Sequence, residues 1–195
     1  MGDTRDDLRC YFGFRSPYSR LGLHKLARAG FDGRLIAFTG PPEDAGGFAD
    51  PAANTYKRDY YVHDVARMTV RLDLPIALPD PFDVEWAPAN RAFQAANRDG
   101  RGLAFALAVS DARWGEGKDV SDPAVLADCA GAAGWRLPEL EALKADPDIK
   151  ACFKADREWI RSDGVFGVPF LVDGGQKYWG HDRFDLWLEG RRQSS

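Results

Sequence analysis

The chain has 195 residues, 45% of them hydrophobic, which is enough for one generous domain, or one domain with an insertion, around a real core. A formal charge of -4, with 26 Lys and Arg spread among 30 Asp and Glu, argues against a nucleic-acid groove and a basic membrane-binding surface, and leaves small molecules as partners. The polar, acidic start from Met1 to Asp7 has no apolar signal segment and no stretch reaches transmembrane length, so a cytoplasmic protein is expected.

Leu8, Cys10, Phe12 and Phe14 alternate with Arg9, Tyr11 and Gly13, the period of a half-buried first strand. Ser16-Pro17 has the chemistry of a helix start, with Ser16 as N-cap and Pro17 in the first helical position. Leu21, Leu23 and Leu26 carry that helix to a stop at Gly30. Arg34 to Phe38 is a second short strand, and strand, helix, strand at this length is a βαβ unit with parallel strands. From Thr39 to Asn54 the chain is rich in Gly, Pro and Ala, including Gly46-Gly47, and reads as an irregular loop leading out of the sheet.

Strands then disappear. Tyr61, Val65, Met68 and Leu72 recur at i, i+4, i+7 and i+11 in one amphipathic helix, before Pro75, Pro79 and Pro81 break the chain. Helical runs follow over about residues 88–98 and 102–114, parted by Asp99-Gly100. Ser121-Asp122-Pro123 opens another that Gly134 closes, and residues 147–163 make a last one closed by Gly164. Phe170 to Val172 and Lys177 to Trp179 then flank Asp173-Gly174-Gly175-Gln176, a hairpin turn, and the apolar Phe184, Leu186, Trp187 and Leu188 continue as a helix. Pro169 cannot donate to a ladder and is tolerated only at the start of its strand. The pattern predicts an α/β chain whose βαβ start, residues 8–45, and ββα end, residues 160–193, form one domain around an all-helical insertion, residues 46–159.

Several residues have the chemistry for a site. A hydroxyl such as that of Ser16 at a helix N-terminus caps the helix, and it can also donate to an anion held there by backbone N–H groups and the macrodipole, so the two roles compete for it. Trp114-Gly115-Glu116-Gly117 is either a plain turn or a loop at the mouth of a site. Lys57 is a solvated helix charge or a cation for a carboxylate; Asp182 caps the final helix or binds an ammonium. Asn54, Tyr61, Phe82, Asp83 and Trp86 are packing residues or the lining of an aromatic acceptor pocket. Cys10, Cys129 and Cys152, odd in number and set in apolar patterns, read as buried free thiols in preference to a disulfide, and with only three His no structural zinc or other metal site is expected.

Tyr11-Phe12, Ser16-Pro17-Tyr18-Ser19, residues 57–79, Trp114-Gly115-Glu116-Gly117 and residues 166–183 together resemble, in order, the DsbA-like thioredoxin-fold enzymes, specifically 2-hydroxychromene-2-carboxylate isomerases and kappa-class glutathione transferases. The resemblance implies a thioredoxin-like fold and a cis Val168-Pro169 bond. It places Ser16 and Ser19 where a Cys-x-x-Cys pair would stand, which removes dithiol redox chemistry from this turn. It implies glutathione as cofactor, with Ser16 as the catalytic residue holding its sulfur, the backbone at Val168-Pro169 pairing with the cysteinyl unit, and Gly180, His181 and Asp182 binding the γ-glutamyl end. Beyond those carried-over positions, Lys57 would meet a carboxylate of glutathione or of the substrate, while Asn54, Asp83 and Trp114 would line the place of a small aromatic or chromene carboxylate substrate. A free thiol of pKa about 8.5 is only a few per cent thiolate at pH 7. One charge-assisted hydrogen bond, worth roughly 1.5 to 3 kcal/mol, lowers that pKa by about one to two units.

The activity so implied is a glutathione-dependent isomerisation in aromatic catabolism, by thiolate addition, bond rotation and elimination. A kappa-like transferase or peroxidase, and an inert DsbA-like module that binds peptides along the Val168-Pro169 edge, are the alternatives. Gly13, Arg20 and His181 depart from the Asp, Tyr and Asn common in such relatives, and Asp83 lies near where a substrate-contacting Asn occurs; all four bear on the acceptor. Whether the helical block pairs two copies into a homodimer is left open by the sequence.

Overall fold

The computed structural model describes residues 7–42 and 54–193. Met1 to Asp6, and the part of the expected loop that holds Gly46-Gly47, lie outside the described residues. In chain order the elements are β1 (Leu8–Phe12), α1 (Pro17–Arg28), β2 (Arg34–Ala37), α2 (Thr55–Arg71), α3 (Ala87–Arg98), α4 (Gly102–Trp114), α5 (Pro123–Ala132), α6 (Leu140–Ala145), α7 (Pro147–Asp163), β3 (Phe170–Asp173), β4 (Gln176–Trp179) and α8 (Arg183–Gln193). The four strands make one sheet in the order β2-β1-β3-β4. β1 runs parallel to β2 with Cys10 opposite Leu35, and antiparallel to β3 with Cys10 opposite Leu171, while β3 and β4 close as an antiparallel hairpin.

The ends of these elements follow local chemistry. Asp122 and Asp146 accept from backbone N–H groups at the starts of α5 and α7, each followed by proline in the first turn. Gly164, at φ 66°, ends α7 in the left-handed conformation that its missing Cβ permits. Gly174 and Gly175, at φ 54° and 87°, give the hairpin the two positive angles its tight turn needs. The short α6 has no counterpart among the helices expected from periodicity; it lies between Pro138 and Pro147 and buries Leu143 in the core.

β1 is not half-buried, as its alternation suggests, but covered on both faces. Leu8, Cys10 and Phe12 enter the main core, which runs on through Phe93, Phe105 and Val109, so the helices between β2 and β3 share one interior with the sheet. Tyr11 points the other way and is also fully buried, in a second cluster with Ile36, Ile160, Val165, Phe170 and Val172 beneath α7. Its phenol donates to Asp163, which Arg9 also reaches at 2.7 Å, and this satisfied polar group is what lets a tyrosine sit in an interior. Phe12 meets Phe14 and Phe93 edge-on, with centroids 5.2 and 4.8 Å apart.

Cys10 and Cys129 are buried, Cys152 is half-buried, and all three are free. Burial pushes their thiols up, that of Cys129 to about 11. Among the described residues no helix is long and apolar enough to cross a membrane, and no group of three His, Cys, Asp or Glu side chains is placed to hold a metal ion.

Two packing details join the sheet to the helices. Val168-Pro169 is a cis peptide, and Pro169 is buried against Gly22 of α1, where an added Cβ would lie 3.2 Å from the proline ring and 2.9 Å from Phe184. Gly22→Ala would gain up to about 1 kcal/mol of helix propensity. The overpacking it forces, about 1–3 kcal/mol, outweighs that gain, so chemical denaturation should show a net loss of about 1–2 kcal/mol.

Asp156 of α7 accepts from Gln94 of α3 at 2.5 Å and from the backbone of Ala37, and burial pushes its carboxyl up to about 6. A folded-state value above the unfolded one means that the protonated form stabilises the fold below about pH 4, and that this contribution is lost as the pH rises to about 6. Asp156→Asn should therefore flatten the stability profile across that window and raise stability at pH 7 by about 1–3 kcal/mol, measured by thermal melts at a series of pH values.

Candidate functional site

Three segments converge at the start of α1. The turn after β1 is fixed by two serines: Ser16 N donates to the Gly13 carbonyl at 3.0 Å, and the buried Ser19 Oγ accepts from Gly13 N at 3.1 Å. Ser16 Oγ accepts from Ser19 N at 3.2 Å, the capping bond expected from Ser-Pro. That bond uses an oxygen lone pair and leaves the hydroxyl proton free to donate outward, so the competition between capping and donation does not arise. Pro17 has no N–H, and among the described residues Tyr18 N has no partner, so a hydroxyl and an amide both face out at the positive end of the helix dipole.

The second segment is the Val168-Pro169 step. The Val168 side chain packs on the second core cluster, but neither its backbone N–H nor its C=O finds a partner among the described residues. An unpaired peptide beside a sheet offers both bonds of a ladder to an extended ligand.

The third segment is bound to the other two. Gly180 N donates to the Pro169 carbonyl at 2.9 Å, and Lys25 Nζ of α1 donates to the His181 carbonyl at 2.9 Å while pairing with Asp185 at 2.7 Å. Gly180 sits at φ 97°, and a Cβ there would lie 2.7 Å from Asp182 Oδ1, so both backbone and space require glycine. Asp182 is exposed and takes Arg183 Nη1 at 2.7 Å, so its carboxylate does not cap α8.

Tyr18 links this cluster to α2. Its ring stacks on His181 at 5.3 Å with 8° between planes, and leans on Tyr61 at 5.4 Å. Its phenol donates to Asp64 at 2.5 Å. Burial would raise the Asp64 carboxyl, but hydrogen bonds from Tyr18, Arg67 and Tyr60 outweigh it and hold the group below its ordinary value. His181 is buried with Nδ1 unpartnered, and burial followed by the nearby Lys25 charge lowers its pKa, which keeps the imidazole neutral at pH 7. Lys57 lies one turn before Tyr61 on the same stripe of α2, exposed. Asn54 is also exposed and caps α2, its Oδ1 accepting from Lys57 N at 3.0 Å.

The remaining sequence-derived candidates stand on the side of the helical block. Trp114 Nε1 donates to the Phe14 carbonyl at 2.8 Å, two residues before Ser16, so the Trp114 turn is anchored to the serine turn. Asp83 accepts from Trp86 Nε1 at 3.1 Å and reaches Arg15 at 3.7 Å. The structure thus brings Ser16, Val168, Pro169, Gly180 and His181 into one connected cluster, with Asp182 at its edge. Trp114 and Asp83 join through the residues flanking Ser16, and Asn54 and Lys57 lie farther along α2. Two grooves, lined among others by Arg28, Trp187, Leu188 and Arg192, open near the other end of α1 and hold none of these residues.

Sequence reasoning treated Arg20 only as a departure. It is 1% exposed, its Nε donates to Asp111 at 2.6 Å and its Nη1 to the Pro75 carbonyl at 2.7 Å, while His24 Nε2 lies 2.8 Å from the same carboxylate. A Cβ on Gly115 would stand 2.7 Å from Arg20 Nη2, so the turn needs glycine where it crosses this arginine. The available signal was an arginine within a leucine-rich helix, which demands an anion from elsewhere in the chain.

A DSBA-like thioredoxin domain matches residues 7–189. A 2-hydroxychromene-2-carboxylate isomerase of Sphingobium xenophagum is 28% identical over 184 residues, 90% of this chain and 93% of that protein. Among solved structures, a 2-hydroxychromene-2-carboxylate isomerase superposes with a TM-score of 0.78 at 21% identity, covering 95% of this chain and 94% of that one. The cytosolic disulfide reductase DsbM from Pseudomonas aeruginosa with GSH superposes with a TM-score of 0.68 at 20% identity, over 96% of this chain and 98% of that one.

Asp111→Asn tests the Arg20 bond. Burial raises the Asp111 carboxyl, but His24 and Arg20 outweigh it and hold the group below its ordinary value. Its stabilisation is present above pH 4 or so and is lost as the pH falls through the native value. The variant should lose about 2–4 kcal/mol at pH 7, because a buried guanidinium keeps only neutral partners. It should also lack the wild type's decline from this group on the acid side, read from urea melts between pH 3 and 7.

Proposed function

Because the chain belongs to the DSBA-like thioredoxin domain family, whose curated relatives here are isomerases, we propose that it is a glutathione-dependent isomerase acting on a 2-hydroxychromene-2-carboxylate type of substrate. The observation that carries this reading is the pairing of Ser16 with the Val168 peptide. At the helix terminus where the fold offers a site for a sulfur anion there is a hydroxyl with a free proton and no protein thiol, and beside it lies an unpaired peptide edge. A site that stabilises a thiolate but lacks its own must take one from a ligand, and a tripeptide thiol fits both features. A disulfide reductase reading has no pair of thiols to work with at this turn, since Ser16 and Ser19 occupy it and Cys10 is buried in β1.

Glutathione when bound supplies a thiolate able to add reversibly to a conjugated carbon, so that the adjacent double bond rotates as a single bond before elimination. The residues of this chain bind and poise it. The Ser16 hydroxyl donates to the sulfur, with the Tyr18 N–H and the α1 dipole adding to the same potential. Val168 N–H and C=O pair with the cysteinyl unit, and Pro169 holds that edge against Gly22. Gly180 and His181 border the γ-glutamyl end, where the exposed Asp182 carboxylate meets the ammonium in place of Arg183. Lys57 faces a carboxylate of the tripeptide, and Asn54, Asp83 and Trp114 border the acceptor. A cytoplasmic setting, which keeps the tripeptide reduced, suits this use.

With 2-hydroxychromene-2-carboxylate as substrate, the purified protein should equilibrate it with trans-o-hydroxybenzylidenepyruvate only when catalytic glutathione is present, and total thiol should stay constant. Steady thiol loss would point instead to a transferase of the kappa kind, and no glutathione requirement would overturn the reading. Ser16→Ala should cost the fold only about 1 kcal/mol. It should also raise the pKa of bound glutathione and slow turnover at pH 7 by about tenfold or more, which thiolate absorbance against pH and initial rates would show.

A further inference from the structure

Of the 17 residues of α2 only Thr69, in its last turn, is buried, yet this helix carries Lys57. A helix with so little apolar burial depends on specific bonds for its place. Its far end is fixed by α1: the Leu72 carbonyl receives Arg28 Nη2 at 2.9 Å, and the Pro75 carbonyl receives Arg20 Nη1 at 2.7 Å. Nearer its start, the Tyr18 phenol supplies the one side-chain hydrogen bond that joins α2 to another element among the described residues.

That bond is prepared from both sides. Within α2, Tyr60 and Arg67, four residues before Asp64 and three after it, donate to Oδ1 at 3.1 and 2.8 Å, which leaves Oδ2 to accept from Tyr18 at 2.5 Å. The Asp64 side chain is 17% exposed, so water does little to weaken a bond to its charge. On α1, the Tyr18 ring stacks on His181 and leans on Tyr61, which restrains it in the orientation that meets Asp64. Burial, and then the bond to Asp64, raises the phenol, so it stays a donor through the neutral range and is not itself an acid or base for the reaction.

Lys57, Tyr61, Asp64 and Met68 share one stripe of α2, and the middle two meet Tyr18, two residues from Ser16. Lys57 stands about 22 Å from Leu72 along the helix, so a tilt of about 5° around that fixed end displaces it by about 2 Å. Such a shift is enough to break a charge-assisted hydrogen bond. We propose that Tyr18 and Asp64 are positioning residues, whose bond seats the first half of α2 against the start of α1 and so delivers Lys57 to the ligand held at Ser16. The inference rests on the proposed function for the identity of that ligand.

The test has one arm without ligand and one with S-methylglutathione. Without ligand, Tyr18→Phe, which keeps the ring and removes the bond, and Asp64→Asn should each raise amide hydrogen exchange over residues 57–64 by about tenfold, with α1 and the strands unchanged. With the tripeptide, calorimetry should show that Lys57→Met alone weakens binding about tenfold, but by less than about threefold in the Tyr18→Phe background, the non-additivity of residues that act as a unit. A phenol that only stabilised the fold would lower the melting temperature and leave the Lys57→Met effect at full size. Unchanged exchange in both variants, no effect of Lys57→Met on its own, or full additivity would overturn the assignment. Faster exchange in a protein that does not bind S-methylglutathione would overturn the glutathione reading together with the delivery of Lys57, and leave only the seating of α2; binding with full additivity would remove only the role of Tyr18 and Asp64.

Discussion

A guanidinium with 1% of its surface in water must find an anion, and the way Arg20 does so arranges much of what surrounds Ser16. Arg20 is one turn beyond Ser16 on α1. Through Asp111 it binds α4, and through the Pro75 carbonyl it binds the chain that follows α2. The Trp114-Gly115 turn must then pass over the arginine, which only glycine at 115 allows, and the indole of Trp114 is carried to the Phe14 carbonyl. The serine turn and the wall beside it are therefore set by one buried arginine, its half-buried carboxylate partner and the space around them.

The opposite side of the helix terminus is held by main-chain bonds. The Pro169 carbonyl receives Gly180 N, and the His181 carbonyl receives Lys25 of the same α1. The connections around residues 169 and 180 are thus tied to each other and to α1 by these bonds. The turn before α1 carries two hydroxyls with separate tasks. Ser19 turns inward and holds the loop, while Ser16 caps α1 through its oxygen and leaves its hydroxyl proton unused among the described residues.

Much of this could be read from the chain, because much of it is local. Ser16-Pro17, Asp122-Pro123, Asp146-Pro147 and the stops at Gly134 and Gly164 are governed by neighbouring residues, and so is the Gly174-Gly175 hairpin. Several readings that needed revision depend on distant partners. Tyr11 is indistinguishable from a solvent-facing residue by alternation, until α7 is seen to cover that face and Asp163 to take its hydroxyl. Arg20 and Asp111 are 91 positions apart, and Tyr18 and Asp64 are 46 apart, so no local pattern links them. His181 belonged to a recognisable segment, but its stacking on Tyr18 and its unpartnered Nδ1 are properties of the assembled cluster.

The state of the three cysteines has a practical meaning. Cys10 is locked in the central strand, burial pushes the Cys129 thiol up to about 11, and that of the half-buried Cys152 is also raised, so all three hold less thiolate in neutral solution than a free cysteine. The polypeptide therefore adds little of its own to the near-ultraviolet band of thiolates at neutral pH. A thiolate band that grows when a small thiol is mixed with it at neutral pH reports chiefly on the added molecule, against a low background from the buried cysteines.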